Sequence, residues 1–207
     1  MKIHDISRIL NNHTPMWPGD TPFSYTLNWS KEETGSVNVG SIEMSVHTGT
    51  HVDAPFHFDS TGKKIVNMDL SVFIGPAIVL DVTNKATISY EDIAQSLKAH
   101  PQKRILFKTN AWKQEDEFPS TIPTLSKEVI ELLKELEVPL IGVDLPSVDK
   151  LDSKELPLHH LLLEANISIL EGIDLRMVEE GEYKLVALPL KLEDADGSPV
   201  RAILIEE

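Results

Sequence analysis

The segment His47-Thr48-Gly49-Thr50-His51-Val52-Asp53-Ala54-Pro55-Phe56-His57 gathers three of the chain's eight histidines and one aspartate into eleven residues. A solvated loop has no need for so many nitrogen and oxygen donors. In extended chain, residues two apart share a face, so His51 and Asp53 can converge on one ion. Gly49 offers a backbone conformation other residues avoid, and a turn there would bring His47 round to the same ion. Pro55 fixes its own φ and biases Ala54 toward extended backbone, which holds His57 near the ion without making it a ligand. A nearby histidine that is not a ligand suits proton transfer at neutral pH. The segment therefore predicts the first half of a catalytic metal site. The chain has no cysteine, so that site is built from imidazole and carboxylate, a donor set that suits Zn²⁺ and also Mn²⁺, Fe²⁺ or Co²⁺.

A second group lies downstream at His159, His160 and Glu171. Residues 156–165 read as a short helix and residues 168–171 as the start of a strand. Adjacent helical residues point about 100° apart, so one of the two histidines at most faces a given site. Spacing alone does not choose between them.

The rest of the chain alternates strands and helices. Residues 2–9, 23–29 and 37–47 read as strands, the last delivering the metal motif. Residues 11–22, with three prolines and a glycine, read as a loop. Strands are expected at 77–82, 104–108, 139–144, 183–188 and 200–205. Ser89 with Asp92 has the form of a capping box that opens a helix through Lys98. Residues 126–137 form an amphipathic helix with Val129, Leu132, Leu133 and Leu136 on one face, and the acidic residues from Glu128 to Glu137 are its solvated face. The pattern predicts an α/β fold with a mixed sheet. At 207 residues the chain fits one domain, residues 1–207.

Composition excludes several classes. Hydrophobic content of 41% and charged content of 25% are those of a globular protein. A net charge of −14 argues against nucleic-acid binding, which needs a basic face. The apolar runs fall short of the roughly 18–20 residues of a membrane helix. Met1–Asp5 opens no signal-peptide core, so the cytoplasm is the expected compartment. No G-x-S-x-G nucleophile elbow occurs, and Ser45 and Ser147 have no such context.

The segment 47–57 resembles the H-x-G-T-H-x-D-x-P-x-H pattern of the metal-dependent cyclase-like hydrolase family. Met16-Trp17-Pro18-Gly19-Asp20-Thr21-Pro22-Phe23 resembles an N-terminal block of the bacterial kynurenine formamidases (arylformamidases) within that family. Further blocks at 37–40, 140–144, 169–172, 187–190 and 197–202 extend the resemblance over essentially the whole chain. The resemblance implies a single-domain swivelling β/α/β fold and a homodimer. It implies two Zn²⁺ ions per subunit, with Mn²⁺ or another divalent ion as a substitute. His47, His51 and Asp53 match the ligands of one ion. Asp53 also bridges to a second ion, for which His159 and Glu171 match the other ligands. His57 matches a proton donor and acceptor, and Trp17 a substrate-contacting aromatic. The activity implied is hydrolysis of N-formyl-L-kynurenine to L-kynurenine and formate in tryptophan degradation. A related amide or cyclic-imide hydrolase of the isatin-hydrolase kind would keep the same metals and His57. A non-catalytic metal- or ligand-binding protein is a third reading, and the presence of His57 beside a full ligand set argues against it.

Overall fold

Apolar runs that are costly to leave in water form the centre of the molecule. The computed structural model describes residues 1–100 and 103–206. In chain order it contains β1 (Lys2–Asp5), β2 (Ser24–Trp29), α1 (Lys31–Thr34), β3 (Val39–Glu43), β4 (His51–Asp53), β5 (Ile74–Asp81), β6 (Thr87–Ile88), α2 (Tyr90–Ala99), β7 (Arg104–Lys108) and β8 (Thr124–Leu125). There follow α3 (Lys127–Glu135), β9 (Leu140–Val143), α4 (Pro157–Glu164), β10 (Ser168–Glu171), β11 (Gly181–Val186), β12 (Gly197–Pro199) and β13 (Ile203–Glu206).

One mixed sheet has the order β1-β13-β11-β5-β7-β9-β10-β4-β12. Its middle, β5-β7-β9-β10, is parallel, and antiparallel strands extend it on both sides. Parallel strands are covered on both faces and so read as unbroken apolar runs. The side chains sort by the two-residue period of a strand. Ile78, Leu80, Ile105, Phe107, Ile141, Val143 and Ile169 enter one core, with α2, α3 and α4 packed over them. Ala77, Val79, Leu106, Leu140 and Leu170 enter the other, with Ile6, Phe73, Ile173 and Leu204.

The helices begin where local chemistry starts them. The Ser89–Asp92 capping box satisfies the first donors of α2. In α3, Val129, Ile130, Leu132 and Leu133 are buried while Glu128 and Glu131 are exposed. The α/β mixed sheet expected from sequence is what folds.

Three boundaries differ from expectation. The strand expected over 37–47 ends at Glu43, because β3 pairs only with β2 and the chain then turns through residues 46–50. The first strand ends at Asp5, leaving Ser7 as a single bridge to Ile173. The closing strand expected over 200–205 begins only at Ile203, where it pairs with β1 and β11, and a separate strand not expected from sequence, Gly197–Pro199, pairs with β4.

Candidate active site

The motif turn and the end of β10 are drawn together by two glycines. Gly49 has φ +72° and Gly172 has φ +65°. A Cβ on Gly172 would collide with the carbonyl of Gly49, so only glycine permits this approach. Thr50 fastens the contact. Its hydroxyl donates to the Gly172 carbonyl at 2.6 Å and accepts from the Arg8 N–H at 2.8 Å. Strand β4 then pairs with β10 in the register Glu171↔His51, and with β12 in the register Gly197↔Asp53.

Asp53 stands at the centre. Its Oδ1 lies 3.0 Å from His47 Nδ1 and 3.4 Å from His51 Nε2. Its Oδ2 lies 3.5 Å from His159 Nε2, which is 3.6 Å from Glu171 Oε1. His51 Nε2 is 3.4 Å from Glu171 Oε2. Two triads thus share Asp53: His47 with His51, and His159 with Glu171. The donor atoms within each triad all lie within 4.8 Å of one another. His51, Asp53, His159 and Glu171 are buried.

Each histidine has one ring nitrogen committed elsewhere. His51 Nδ1 donates to the Gly49 carbonyl at 3.1 Å. His159 Nδ1 donates to Asp149 Oδ2 at 2.7 Å. His47 Nε2 donates to Asp196 Oδ2 at 3.0 Å. The remaining nitrogen of each faces Asp53, an arrangement typical of metal-binding histidine. Asp53 Oδ2 is buried with no hydrogen-bond partner, a costly state for a carboxylate oxygen that a cation would relieve. The site fits a divalent metal on both counts.

The electrostatics agree. Burial works against charge on His47, but its bonds to Asp196 and Asp53 prevail and raise its pKa to about 9. Burial likewise opposes charge on His51 and His159. Asp53 and Glu171 raise the first to about 10, and Asp149 with Asp53 raises the second to about 10. Burial would lift Asp53, yet the three histidines hold it well below the usual carboxylate range. Four carboxylates, Asp53, Glu171, Asp149 and Asp196, touch this cluster. Without a cation the three histidines hold protons against these carboxylates, and a divalent cation bound there would take the place of those protons.

His57 sits just outside. Its ring stacks on that of His47 with centroids 3.8 Å apart, and its Nδ1 lies 3.2 Å from Asp196 Oδ2. Burial lowers its pKa against the opposing pull of Asp53 and Asp196. A third close group, His47, His57 and Asp196, is half open to solvent and already closed by hydrogen bonds.

A cavity of about 300 Å³ opens onto the cluster, lined by His47, His51, His57, His159 and Glu171 together with Trp17, Asp20, Ser147 and Lys150. Trp17 rests against Phe118, ring centroids 5.0 Å apart. Leu156 lines the same cavity with φ +44°, a strained conformation for leucine, immediately before the helix that carries His159. All seven residues singled out in the sequence meet here. His160 is exposed and packs its ring against Phe58. Sequence reasoning missed Asp149 and Asp196, which orient three of the four histidines.

Comparison with known proteins agrees with this geometry. Residues 4–150 match the cyclase family. The kynurenine formamidase of Bacillus cereus is 52% identical over 200 residues, covering 97% of this chain and 95% of that protein. The solved structure of a predicted metal-dependent hydrolase from Bacillus stearothermophilus superposes with a TM-score of 0.81 at 29% identity, over 98% of this chain and 97% of the other. Isatin hydrolase A from Labrenzia aggregata has a TM-score of 0.83 at 24% identity, over 100% and 94% of the two chains, and so shares the fold. The chain belongs to the cyclase family of metal-dependent hydrolases, and within it to the kynurenine formamidases.

Proposed function

We propose that the chain, a single domain over residues 1–207, hydrolyses N-formyl-L-kynurenine to L-kynurenine and formate. The observation that carries this reading is Asp53 shared between two ligand triads, with His57 free in the same cavity. Likeness to the B. cereus enzyme over nearly the full chain supports the substrate. The isatin-hydrolase alternative rests on shared fold alone.

In this reading His47, His51 and Asp53 hold one Zn²⁺, and Asp53, His159 and Glu171 hold a second. Bound zinc supplies Lewis acidity, which lowers the pKa of water toward about 7 and offsets the charge of the developing oxyanion. His57 takes a proton from the attacking water. It returns that proton to the anilino nitrogen, which leaves poorly as an anion. Trp17, backed by Phe118, offers its face to the substrate's aryl ring. Asp20 and Lys150 both line the cavity, carry opposite charges and form no ion pair among the described residues. They suit the α-amino and α-carboxylate groups of the substrate.

The reading includes a homodimer. Hairpin β2–β3 exposes Tyr25, Trp29 and Ile42 by 56, 61 and 63%, and an isolated two-stranded hairpin is marginal in water. A second copy of the chain would cover it. The cytoplasm is the proposed compartment, and no helix among the described residues is long and apolar enough to cross a membrane.

The test is turnover of N-formyl-L-kynurenine by the purified protein as isolated, after chelation and after adding back zinc. Activity lost with chelator and regained with zinc is expected. No turnover by a folded, fully metallated sample would move the substrate to another amide.

A further inference from the structure

Among the described residues, Asp196 is the carboxylate that touches both a ligand histidine, His47, and the non-ligand histidine, His57. A single oxygen, Oδ2, lies 3.0 Å from His47 Nε2 and 3.2 Å from His57 Nδ1. The two rings stack beside it, 32° from parallel. The backbone holds Asp196 in place. Its carbonyl accepts from Ala54 N–H at 2.8 Å, and the next residue pairs with Asp53. Its side chain is partly open to solvent, so at neutral pH the carboxylate is ionised.

We infer that Asp196 is a positioning residue whose one oxygen sets the tautomer of both histidines, and so couples metal holding to proton transfer. The inference rests on the formamidase reading of the site. An ionised carboxylate only accepts, so both rings must turn an N–H toward it. His47 is then left with Nδ1 as its lone-pair nitrogen, beside Asp53 Oδ1. His57 is left with Nε2, the nitrogen that takes a proton from water and passes it to the leaving amine. Without Asp196, His57 is free to adopt the other tautomer, with Nδ1 as the basic nitrogen and Nε2 protonated. An asparagine could present N–H instead of oxygen and favour that wrong tautomer, a change known to cripple histidine bases elsewhere.

Four proteins test this: the parent, Asp196→Asn, His57→Ala and the double variant. Each is assayed at saturating zinc on N-formyl-L-kynurenine and on 4-nitrophenyl formate, whose phenolate leaves without a proton. Zinc affinity is measured separately by competition with a chromophoric chelator. Asp196→Asn is expected to bind one zinc 10- to 100-fold more weakly. It should lower kcat on the formamide about 100-fold and on the ester by distinctly less, because the ester needs His57 only to take the proton from water and not to protonate the leaving group. The double variant should be no slower than His57→Ala, because residues acting as a unit are not additive. Asp196→Glu, which keeps the charge, should recover part of the formamide rate. Equal loss on both substrates, unchanged zinc affinity, or losses that multiply in the double variant would each overturn the inference. A parent active on the ester but not on N-formyl-L-kynurenine would fail the substrate reading instead. Formanilide would then serve as the formamide.

Discussion

Strand β4 and the hairpin β2–β3 are close in sequence and opposite in physics. In β4 every residue is buried, two of the three are ionisable, and their polar atoms face one another. In β3 every residue is exposed, and the hairpin shows large apolar side chains to solvent. Each region breaks an ordinary rule of stability, burying charge in one place and exposing apolar surface in the other. The comparison teaches that neither region is explained by the isolated chain. The first has the donor set of a divalent cation, and the second is the face on which the proposed dimer rests.

The largest effect should come from Asp53→Ala. Both triads lose their shared member, so bound zinc should fall below one equivalent and turnover by more than about 1,000-fold. Metal analysis of the purified variant checks this, and two retained equivalents would remove the shared-carboxylate half of the comparison. Gly172→Ala comes next. It demands a left-handed alanine and a collision with the Gly49 carbonyl. We expect a loss of about 2–5 kcal/mol in urea unfolding, with weaker zinc binding. A parent-like midpoint would mean that β4 does not depend on this close approach.

For the hairpin, Trp29→Asp combined with Ile42→Asp should shift the sedimentation coefficient from dimer to monomer and leave zinc content unchanged. A monomeric parent would erase the contrast as drawn. The smallest effect is at the cavity wall. Asp20→Asn and Lys150→Met should each raise KM for N-formyl-L-kynurenine about 10-fold, the value of one lost charged contact. KM for formanilide, which lacks the amino-acid end, should stay put. Equal shifts on both would assign these residues to the scaffold.

The site was partly legible in the sequence because its first half is local. A two-residue period and one glycine turn bring His47, His51 and Asp53 together, and β4 confirms that geometry. His159 could not be told from His160 by helix geometry, since adjacent positions differ only in direction. Burial and the bond to Asp149 separate them, since His159 is buried and His160 exposed. Asp149 and Asp196 lie in acid-rich stretches that read as ordinary solvated surface. Their roles arise from the placement of α4 and from the pairing of β12 with β4, which are long-range events. The central strands were visible because parallel strands buried on both faces are apolar throughout. Strand β12 was not expected at all, since Gly-Ser-Pro has little intrinsic strand preference and owes its form to its neighbour.

The register Glu171↔His51 also sets an order of events in synthesis. Residue 51 leaves the ribosome long before residue 171, and β12, which flanks β4 on its other side, comes later still. The motif histidines therefore spend most of translation without their partners. Pairings between such distant segments form slowly. The group of Asp53, His159 and Glu171 is thus complete only in a nearly finished chain, once β10 has paired with β4.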